Sequence, residues 1–96
     1  MKKRIYISGK ITGEPNYIEK FEIAQKYLES LGYVVFNPVE LVQFNPGKNW
    51  IDYMLTGIAL LSICNEIYML DNWQDSRGAK IEFDIAQGMG LVINFQ

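Results

Sequence analysis

The chain has 96 residues, 49% of them hydrophobic, and a formal net charge of −2. This length suits one small domain, and the composition is that of a globular protein and not of a disordered one. The sequence contains no histidine and a single cysteine, Cys64. A histidine-based triad, a Cys/His zinc site and a disulfide within the chain are therefore excluded.

Charge and hydropathy restrict the partners. Basic residues cluster only at Lys2-Lys3-Arg4, so we expect no binding to duplex nucleic acid, whereas a free nucleoside or nucleotide would need only a local site. No apolar run approaches the ~18 residues of a membrane span, and the apolar stretch after Arg4 is too short for a signal peptide. We therefore expect a cytoplasmic protein without a membrane segment. Cys64 lies in an apolar run and is interpreted as a small core residue.

The first part of the chain predicts a strand, a helix and a second strand. Arg4–Ser8 is β-branched and aromatic, which favours a strand. The Gly9–Gly13 loop either lets a ligand approach the backbone closely or is an ordinary strand-to-helix turn. Pro15 is placed to begin an amphipathic helix that ends at Gly32. Tyr33–Phe36 is continuously apolar, which is typical of a strand buried on both faces.

The middle of the chain predicts a loop and an apolar helix. Asn37–Asn49 contains two prolines and a glycine, and loops of this length often cover a site. Pro38–Gln43 has the composition for one helical turn. Trp50–Cys64 is apolar on nearly every side, so this helix should be buried on several sides, in the domain or in a subunit interface. Gly57 inside it indicates close helix packing.

The last part predicts a strand, a loop, a helix and a strand. Glu66–Leu70 and Leu91–Phe95 are predicted to be strands. Between them a helix begins after the Asp71–Asp75 loop and is closed by Gly88 and Gly90. The alternation of strands and helices predicts a parallel α/β sheet with helices on both faces. Ligands on such sheets bind beyond the carboxyl ends of the strands. If the first and third strands are neighbours, their following loops and Glu82 converge there.

Glu82 does not fit the helix in which it is predicted to lie. With about 100° of rotation per residue, it falls within the apolar arc, between Ala86 and Met89. Carboxylates are almost never fully buried unless they are paired or functional. Glu82 therefore pairs with a distant basic residue, lies at the edge of the buried face, or belongs to a pocket. The segment Ser76-Arg77-Gly78 favours the pocket. At a helix N-terminus it offers an anion free backbone N–H groups, the hydroxyl of Ser76, and a glycine that lets the ligand approach closely.

Four segments of the sequence together carry a resemblance to a known family. In chain order they are Tyr6-Ile7-Ser8-Gly9-Lys10-Ile11-Thr12-Gly13, Asn37-Pro38, Trp50-Ile51-Asp52-Tyr53-Met54 and Ser76-Arg77-Gly78-Ala79-Lys80-Ile81-Glu82. They resemble the nucleoside 2-deoxyribosyltransferase superfamily, above all its small phage- and prophage-associated branch of unassigned function. They are also similar to the 2′-deoxynucleoside 5′-phosphate N-hydrolases. The resemblance covers residues 1–96 as one domain and implies a flavodoxin-like, three-layer α/β/α fold with about four parallel strands.

The resemblance also implies an activity, which is cleavage of the N-glycosidic bond of a 2′-deoxynucleoside or its 5′-monophosphate. Glu82 would be the nucleophile and Tyr6 would position it. It implies no cofactor and no metal, and we expect a homodimer or a higher homo-oligomer. The residues expected to hold the sugar, the phosphate or the base are Ser8, Gly9, Lys10, Thr12, Gly13, Trp73, Asp75, Ser76 and Gly78. Trp73 and Trp50 either stack on a base or pack in the core.

The sequence departs from this superfamily in its second helix. Members carry an aspartate where this chain has Gly57, and their Cys-Asp pair reads Cys64-Asn65 here. The missing carboxylate would be the group that protonates the leaving base or orients the sugar. Asp71 or Asp75 would replace it, unless both are solvated turn residues. Two alternatives therefore stand beside an enzyme: a nucleotide-binding module that has lost the chemistry, and a structural or interaction domain that kept only the fold.

Overall fold

The computed structural model describes residues 2–40 and 49–96. Within them lie four strands, three α-helices and one 3₁₀ turn, at positions close to those predicted. They are β1 Arg4–Ser8, α1 Tyr17–Ser30, β2 Val34–Phe36, α2 Trp50–Ser62, β3 Glu66–Met69, the 3₁₀ turn Trp73–Asp75, α3 Arg77–Gly88 and β4 Val92–Phe95. Most of the predicted Asn37–Asn49 loop lies outside the described residues. Of the helical turn expected at Pro38–Gln43, residues 38–40 are described, and Val39 and Glu40 are helical.

The four strands form one parallel sheet in the order β2-β1-β3-β4. Ile5 is in register with Glu66, and Glu66 with Val92. The chain runs from β1 outward to β2, then crosses to β3 and continues outward to β4. The strand order therefore reverses between β1 and β3, and the carboxyl ends of these two strands mark the position where such sheets bind ligands. The predicted parallel α/β fold is confirmed.

Alternation along β1 divides the core into two layers. Ile5 and Ile7 face α1 and pack with its buried Phe21, whereas Tyr6 faces α2 and α3 and packs with Leu61. Full burial of an aliphatic or aromatic side chain of this size contributes about 1.5–3 kcal/mol. Because side chains two residues apart share a face of a strand, Ser8 lies on the same side as Tyr6. The strand period thus directs two hydroxyl side chains towards α3.

Two elements differ from their predictions. Helix α1 begins at Tyr17 and not at Pro15, because the N–H of Tyr17 donates to the carbonyl of Glu14 at 3.3 Å and closes a turn around Pro15. Proline is favoured at the second position of such a turn. Strand β2 was predicted to be buried on both faces and is instead an edge strand with Val34 42% exposed. Continuous apolar residues alone do not distinguish a central strand from an edge strand.

Helix α2 is the least buried of the three helices that the structure describes. The side chain of Asn49 caps it by accepting from the N–H of Asp52 at 2.9 Å, and among its residues only Gly57 and Leu61 are buried. Ile51 and Leu55 are 60% and 62% exposed. Burial on several sides within the chain is therefore not found, and the alternative, a subunit interface, stays a prediction.

Candidate active site

A cavity of about 160 Å³ lies at the carboxyl end of β1, bounded by the N-terminal halves of α2 and α3. It is mainly apolar and aromatic, with a few polar groups and one carboxylate. The described residues that line it are Tyr6, Gly9, Ile11, Thr12, Pro38, Trp50, Tyr53, Met54, Ser76, Gly78, Ala79 and Glu82. Small-molecule sites have this composition, in which apolar walls enclose the ligand and a few polar groups orient it.

Helix α3 carries Glu82 into the cavity. Ser76 is its N-cap and accepts from the N–H of Ala79 at 3.1 Å, which fixes where the helix begins. From that start Glu82 falls on the same face as Ala79 and Ala86, which pack on the sheet. Glu82 is 7% exposed. The interpretation of an inward carboxylate therefore agrees with its position in the structure.

Two hydroxyls from β1 hold this carboxylate. The Tyr6 hydroxyl donates to Oε2 of Glu82 at 2.6 Å, and the Ser8 hydroxyl donates to Oε1 at 2.7 Å. Short hydrogen bonds to an ionised acceptor are about twice as strong as neutral ones. Each carboxylate oxygen thus has one strong donor, and no basic side chain is needed to explain the burial of Glu82. The alternative of a salt bridge to a distant cation is not found among the described residues.

The pKa values of the pair reflect burial. Desolvation raises the pKa of Glu82 above its ordinary value of 4.5, and the hydrogen bonds from Tyr6 and Ser8 oppose this by stabilising the ionised form. Desolvation, and then the neighbouring charge of Glu82, raise the pKa of Tyr6 well above its usual range. Tyr6 therefore stays protonated and acts as a hydrogen-bond donor. Glu82 is a carboxylate whose ionisation depends on these two hydroxyls.

Gly57 of α2 lies directly against this hydrogen bond. A Cβ atom at position 57 would be 2.7 Å from the Tyr6 hydroxyl oxygen and 2.9 Å from Oε2 of Glu82. Contacts this short are not tolerated unless a neighbour moves. Glycine inside a helix costs about 1 kcal/mol relative to alanine, so the close approach of the α2 backbone explains why a helix interior contains it.

The N-terminal turn of α3 borders the same cavity. A Cβ atom on Gly78 would be 2.8 Å from Sδ of Met54, so the methionine sulfur occupies the space that the glycine leaves. The guanidinium of Arg77 lies over the ring of Trp50, 4.5 Å from its centroid. This cation–π contact joins the N-termini of α2 and α3. The wall of the cavity at this end is therefore built by both helices.

Comparison with known proteins places this chain in a family. The family described as "Domain of unknown function (DUF4406)" matches residues 3–95. The chain belongs to this family. Among proteins with curated descriptions, none matches it by sequence. The DUF4406 assignment covers the whole of the site described above.

A solved structure shows the same fold. The "2-desoxiribosyltransferase from Leishmania mexicana" superposes with a TM-score of 0.74 at 18% sequence identity, over 97% of this chain and 63% of that chain. At this identity the likeness concerns the fold, and this DUF4406 chain spans less than two thirds of the length of that structure. The fold that the sequence resemblance implied is therefore confirmed.

The loop after β1 contributes part of the predicted set. Gly9 and Thr12 line the cavity. A Cβ on Gly9 would be 2.6 Å from Cδ1 of Leu70, so packing against Leu70 already requires glycine there. The N–H of Lys10 donates to the side chain of Asn72 at 3.1 Å, and Gly13 has a positive φ of 80° that favours glycine. Lys10 and Gly13 are not among the described residues that line the cavity.

The loop after β3 holds the remaining predicted residues. Asp71 and Asp75 are exposed, and neither belongs to the described lining of the cavity. The ring of Trp73 stacks on Phe83 with centroids 4.6 Å apart, and its centroid is 6.1 Å from that of Phe95. These contacts explain Trp73 by packing between α3 and β4.

Sequence reasoning missed part of one cavity wall. Tyr53 and Met54 line the cavity beside Trp50, and Gly57 follows them on the same side of α2. Their spacing of i, i+3, i+4 and i+7 is the pattern of one helix face. That signal was readable, but the apolar residues on every side of this helix concealed which face was the functional one.

No group of three or more acidic or cysteine side chains in the described ranges is placed to hold a metal ion. No helix in the described part of the chain has the length and hydropathy of a membrane-spanning segment.

Proposed function

We propose that this protein cleaves the N-glycosidic bond of a 2′-deoxynucleoside or its 5′-monophosphate, with Glu82 as the nucleophile. The observation that carries the proposal is a buried carboxylate on the cavity wall, with each oxygen held by one hydroxyl at 2.6 and 2.7 Å. Nucleophilic carboxylates need this combination of fixed orientation and restricted water access. The superfamily resemblance supports the same substrate class.

The proposed reaction has two steps. One oxygen of ionised Glu82 attacks C1′ of the deoxyribose, and a C–O bond forms as the C1′–N bond breaks. The electron pair of that bond leaves with the base, which takes up a proton. A water molecule, or a nitrogen atom of a second base, then attacks C1′ of the glycosyl ester and releases Glu82. Hydrolysis and deoxyribosyl transfer therefore share the first step.

The hydrogen bonds from β1 have a defined role in this reaction. Burial disfavours the ionised form of Glu82, whereas the Tyr6 and Ser8 hydroxyls favour it. These donors keep the nucleophile charged and fix the carboxylate plane. The charge is needed because only the ionised carboxylate attacks. The fixed orientation is needed because a reacting atom displaced by about 1 Å can reduce the rate about 10²-fold.

The base would lie against the aromatic wall of α2. Trp50 and Tyr53 line the cavity. An aromatic ring can stack on any of the bases, because every base has a planar π-face. Proton supply to the leaving base is assigned to Asp71, with Asp75 among the substrate contacts. Both are exposed in the structure, so this part of the proposal requires that a bound substrate extend to the loop after β3.

The test is incubation with a panel of 2′-deoxynucleosides and their 5′-monophosphates, with the released base measured by chromatography. Glu82→Gln should abolish release. Glu66→Gln is the matched control, because Glu66 is also buried but lies at the amino end of β3, outside the cavity lining. Release that persists in Glu82→Gln would contradict the assignment of the nucleophile.

Gly57 favours a second candidate, a nucleotide-binding module without catalysis. The superfamily resemblance places a carboxylate at this position, and loss of one acid–base group commonly costs about 10²–10⁴ in rate. This candidate predicts that a deoxynucleotide raises the melting temperature and is recovered intact after long incubation. Base release at a rate that depends on Glu82 would eliminate it.

A homo-oligomer belongs to the proposal as well. Ile51 and Leu55 on α2 are more than half exposed, and paired apolar side chains on an exposed helix face are typical of subunit contacts. Light scattering after size exclusion would give the mass. A monomer at micromolar concentration would contradict this part of the proposal without affecting the rest.

A further inference from the structure

The Tyr6–Glu82 hydrogen bond is covered on one side by the backbone of α2. Gly57 is buried, and any side chain there would begin 2.7 Å from the Tyr6 hydroxyl and 2.9 Å from Oε2 of Glu82. Real Cβ contacts are essentially never this short. Tyr6 and Glu82 are themselves almost completely buried, so neither can swing away without disturbing the packing of β1 or α3.

Other functions of this glycine are less well supported. Glycine lowers the stability of a helix interior relative to alanine. A glycine used for helix–helix packing would meet the backbone or an apolar side chain of the neighbouring helix. Gly57 meets the two oxygen atoms of the hydrogen bond, and the third nearest atom is Cζ of the same tyrosine at 3.8 Å. The residue is therefore matched to the polar pair and not to general packing.

We infer that Gly57 is a positioning residue, which lets the α2 backbone close over the Tyr6–Glu82 hydrogen bond and hold Oε2 in place. It acts through this pair and contributes no reacting atom. Glycine at position 57, where the superfamily has an aspartate, then fits the site, because the space that an aspartate side chain would enter is occupied by the Tyr6 hydroxyl and Glu82. Restoring an aspartate by Gly57→Asp would displace Tyr6 and add a charge beside Glu82, and would not supply a useful acid.

The first experiment follows the ionisation of Glu82 in Gly57→Ala by carboxyl-carbon NMR. The hydrogen bond from Tyr6 lowers the pKa of Glu82. Its loss should therefore shift the titration of Glu82 to higher pH, in the same direction as in Tyr6→Phe. Gly88→Ala is the matched control: Gly88 also lies in a helix, and a Cβ there meets nothing within 4 Å. An unchanged titration in folded Gly57→Ala would overturn the inference.

A second variant keeps the test decisive if Gly57→Ala does not fold. Tyr6→Phe/Gly57→Ala removes the oxygen atom at the shortest contact. We expect the double variant to be more stable than Gly57→Ala, because the added methyl group then enters the space of the missing hydroxyl. A double variant that is as unstable as the sum of the two single variants would overturn the inference and leave Gly57 as an ordinary packing residue.

The proposed chemistry supplies an additional readout. The inference builds on Glu82 as the nucleophile, but NMR titration and stability test it without any substrate. If the protein releases base, Gly57→Ala and Gly57→Asp should each reduce the rate by about 10²-fold, the effect of a misplaced reacting group. If the wild-type chain releases no base, the proposed function fails while the titration still decides the role of Gly57.

Discussion

The hydroxyl of Tyr6 donates to Glu82 across 76 positions of the chain, at a distance of 2.6 Å. One partner comes from the first strand and the other from the third helix, so the bond requires that α3 pack against β1. The carboxylate is then oriented by the fold and not by its own helix. This relationship determines the effects expected from several substitutions.

Tyr6→Phe should lower stability and raise the pKa of Glu82. The substitution leaves one buried carboxylate oxygen without its donor, and an unsatisfied buried polar group costs about 1–3 kcal/mol. The free energy of unfolding in urea gives the loss. Tyr27→Phe is the control, since Tyr27 is 52% exposed, and it should change the free energy of unfolding by less than about 0.5 kcal/mol. Equal losses in the two variants would contradict the prediction.

Glu82→Gln should be more stable than the wild-type chain at neutral pH. Burial raises the pKa of Glu82, so the folded state binds this proton more tightly than the unfolded state. The corresponding stability is present below the ordinary pKa of 4.5 and is lost as the pH rises through the folded-state value. Glutamine stays neutral throughout. The difference in free energy of unfolding between Glu82→Gln and wild type should therefore increase from about pH 4 to about pH 7.

The control for this pH dependence is Glu19→Gln, because Glu19 is an exposed glutamate in the first turn of α1. It measures how the loss of one carboxylate from the surface changes the free energy of unfolding over the same pH range. A Glu82→Gln difference that stays constant or decreases over this range would show that the buried carboxylate is not destabilised by ionisation.

Ser8→Ala should move the acid limb of the proposed activity to higher pH. The hydrogen bond from Ser8 lowers the pKa of Glu82, and the nucleophile must be ionised to attack. Without this donor a higher pH is needed to ionise the same fraction of Glu82. The measurement is the pH dependence of kcat/KM for base release. Ser62→Ala is a suitable control, because Ser62 is exposed and its hydroxyl bonds only its own helix, at the carbonyl of Ala59.

The two tryptophans should respond differently to replacement by alanine. Trp73 packs on Phe83 and Phe95, so Trp73→Ala should lower stability by about 3 kcal/mol, near the lower end for aromatic truncation because the ring is only partly buried. Trp50 is 37% exposed and lines the cavity. Trp50→Ala should retain most of the stability and reduce the melting-temperature increase caused by a bound nucleoside. If Trp50→Ala instead lost the stability and kept the melting-temperature increase caused by the nucleoside, Trp50 would be excluded as a base contact.

The thiol of Cys64 should be unreactive in the folded protein. Burial raises its pKa to about 11, so very little thiolate exists at neutral pH, and the side chain is only 5% exposed. Alkylation by iodoacetamide near pH 8 should be at least about 10²-fold slower than in the chain unfolded by urea, where the pKa returns to about 8.5. Comparable rates in the two states would contradict the packing of Cys64 in the core.

Several features could be predicted because they depend on local chemistry. The strand–helix alternation is a short-range pattern. The predicted ends of the four strands and three helices of the described chain therefore differ from the observed ends by two residues or fewer. The N-cap at Ser76 follows from a hydroxyl that precedes a helix. Glu82 was identified because a charged residue interrupted an apolar helix face. Each of these signals lies within a few residues of the position it concerns.

Other features depend on contacts between distant segments. The edge position of β2 is decided by strand order, which the apolar composition of Tyr33–Phe36 does not encode. The exposure of α2 depends on how far its apolar surface exceeds the area that the sheet can cover. Trp73 and Trp50 have the same residue type, and only their neighbours in space separate a packing role from a place in the cavity wall.

The sequence by itself determined the α/β class and placed the carboxylate of Glu82 on the apolar face of a helix, because hydrophobic periodicity and helix capping act between near neighbours. The superfamily resemblance implied that Tyr6 positions that carboxylate, whereas only the tertiary structure showed Ser8 as its second donor and the close approach of Gly57. The partners of Glu82 come from β1, and the backbone that covers them comes from α2 at Gly57. Their meeting depends on the packing of three elements at distances of a few ångströms, and no local pattern in the chain specifies such distances.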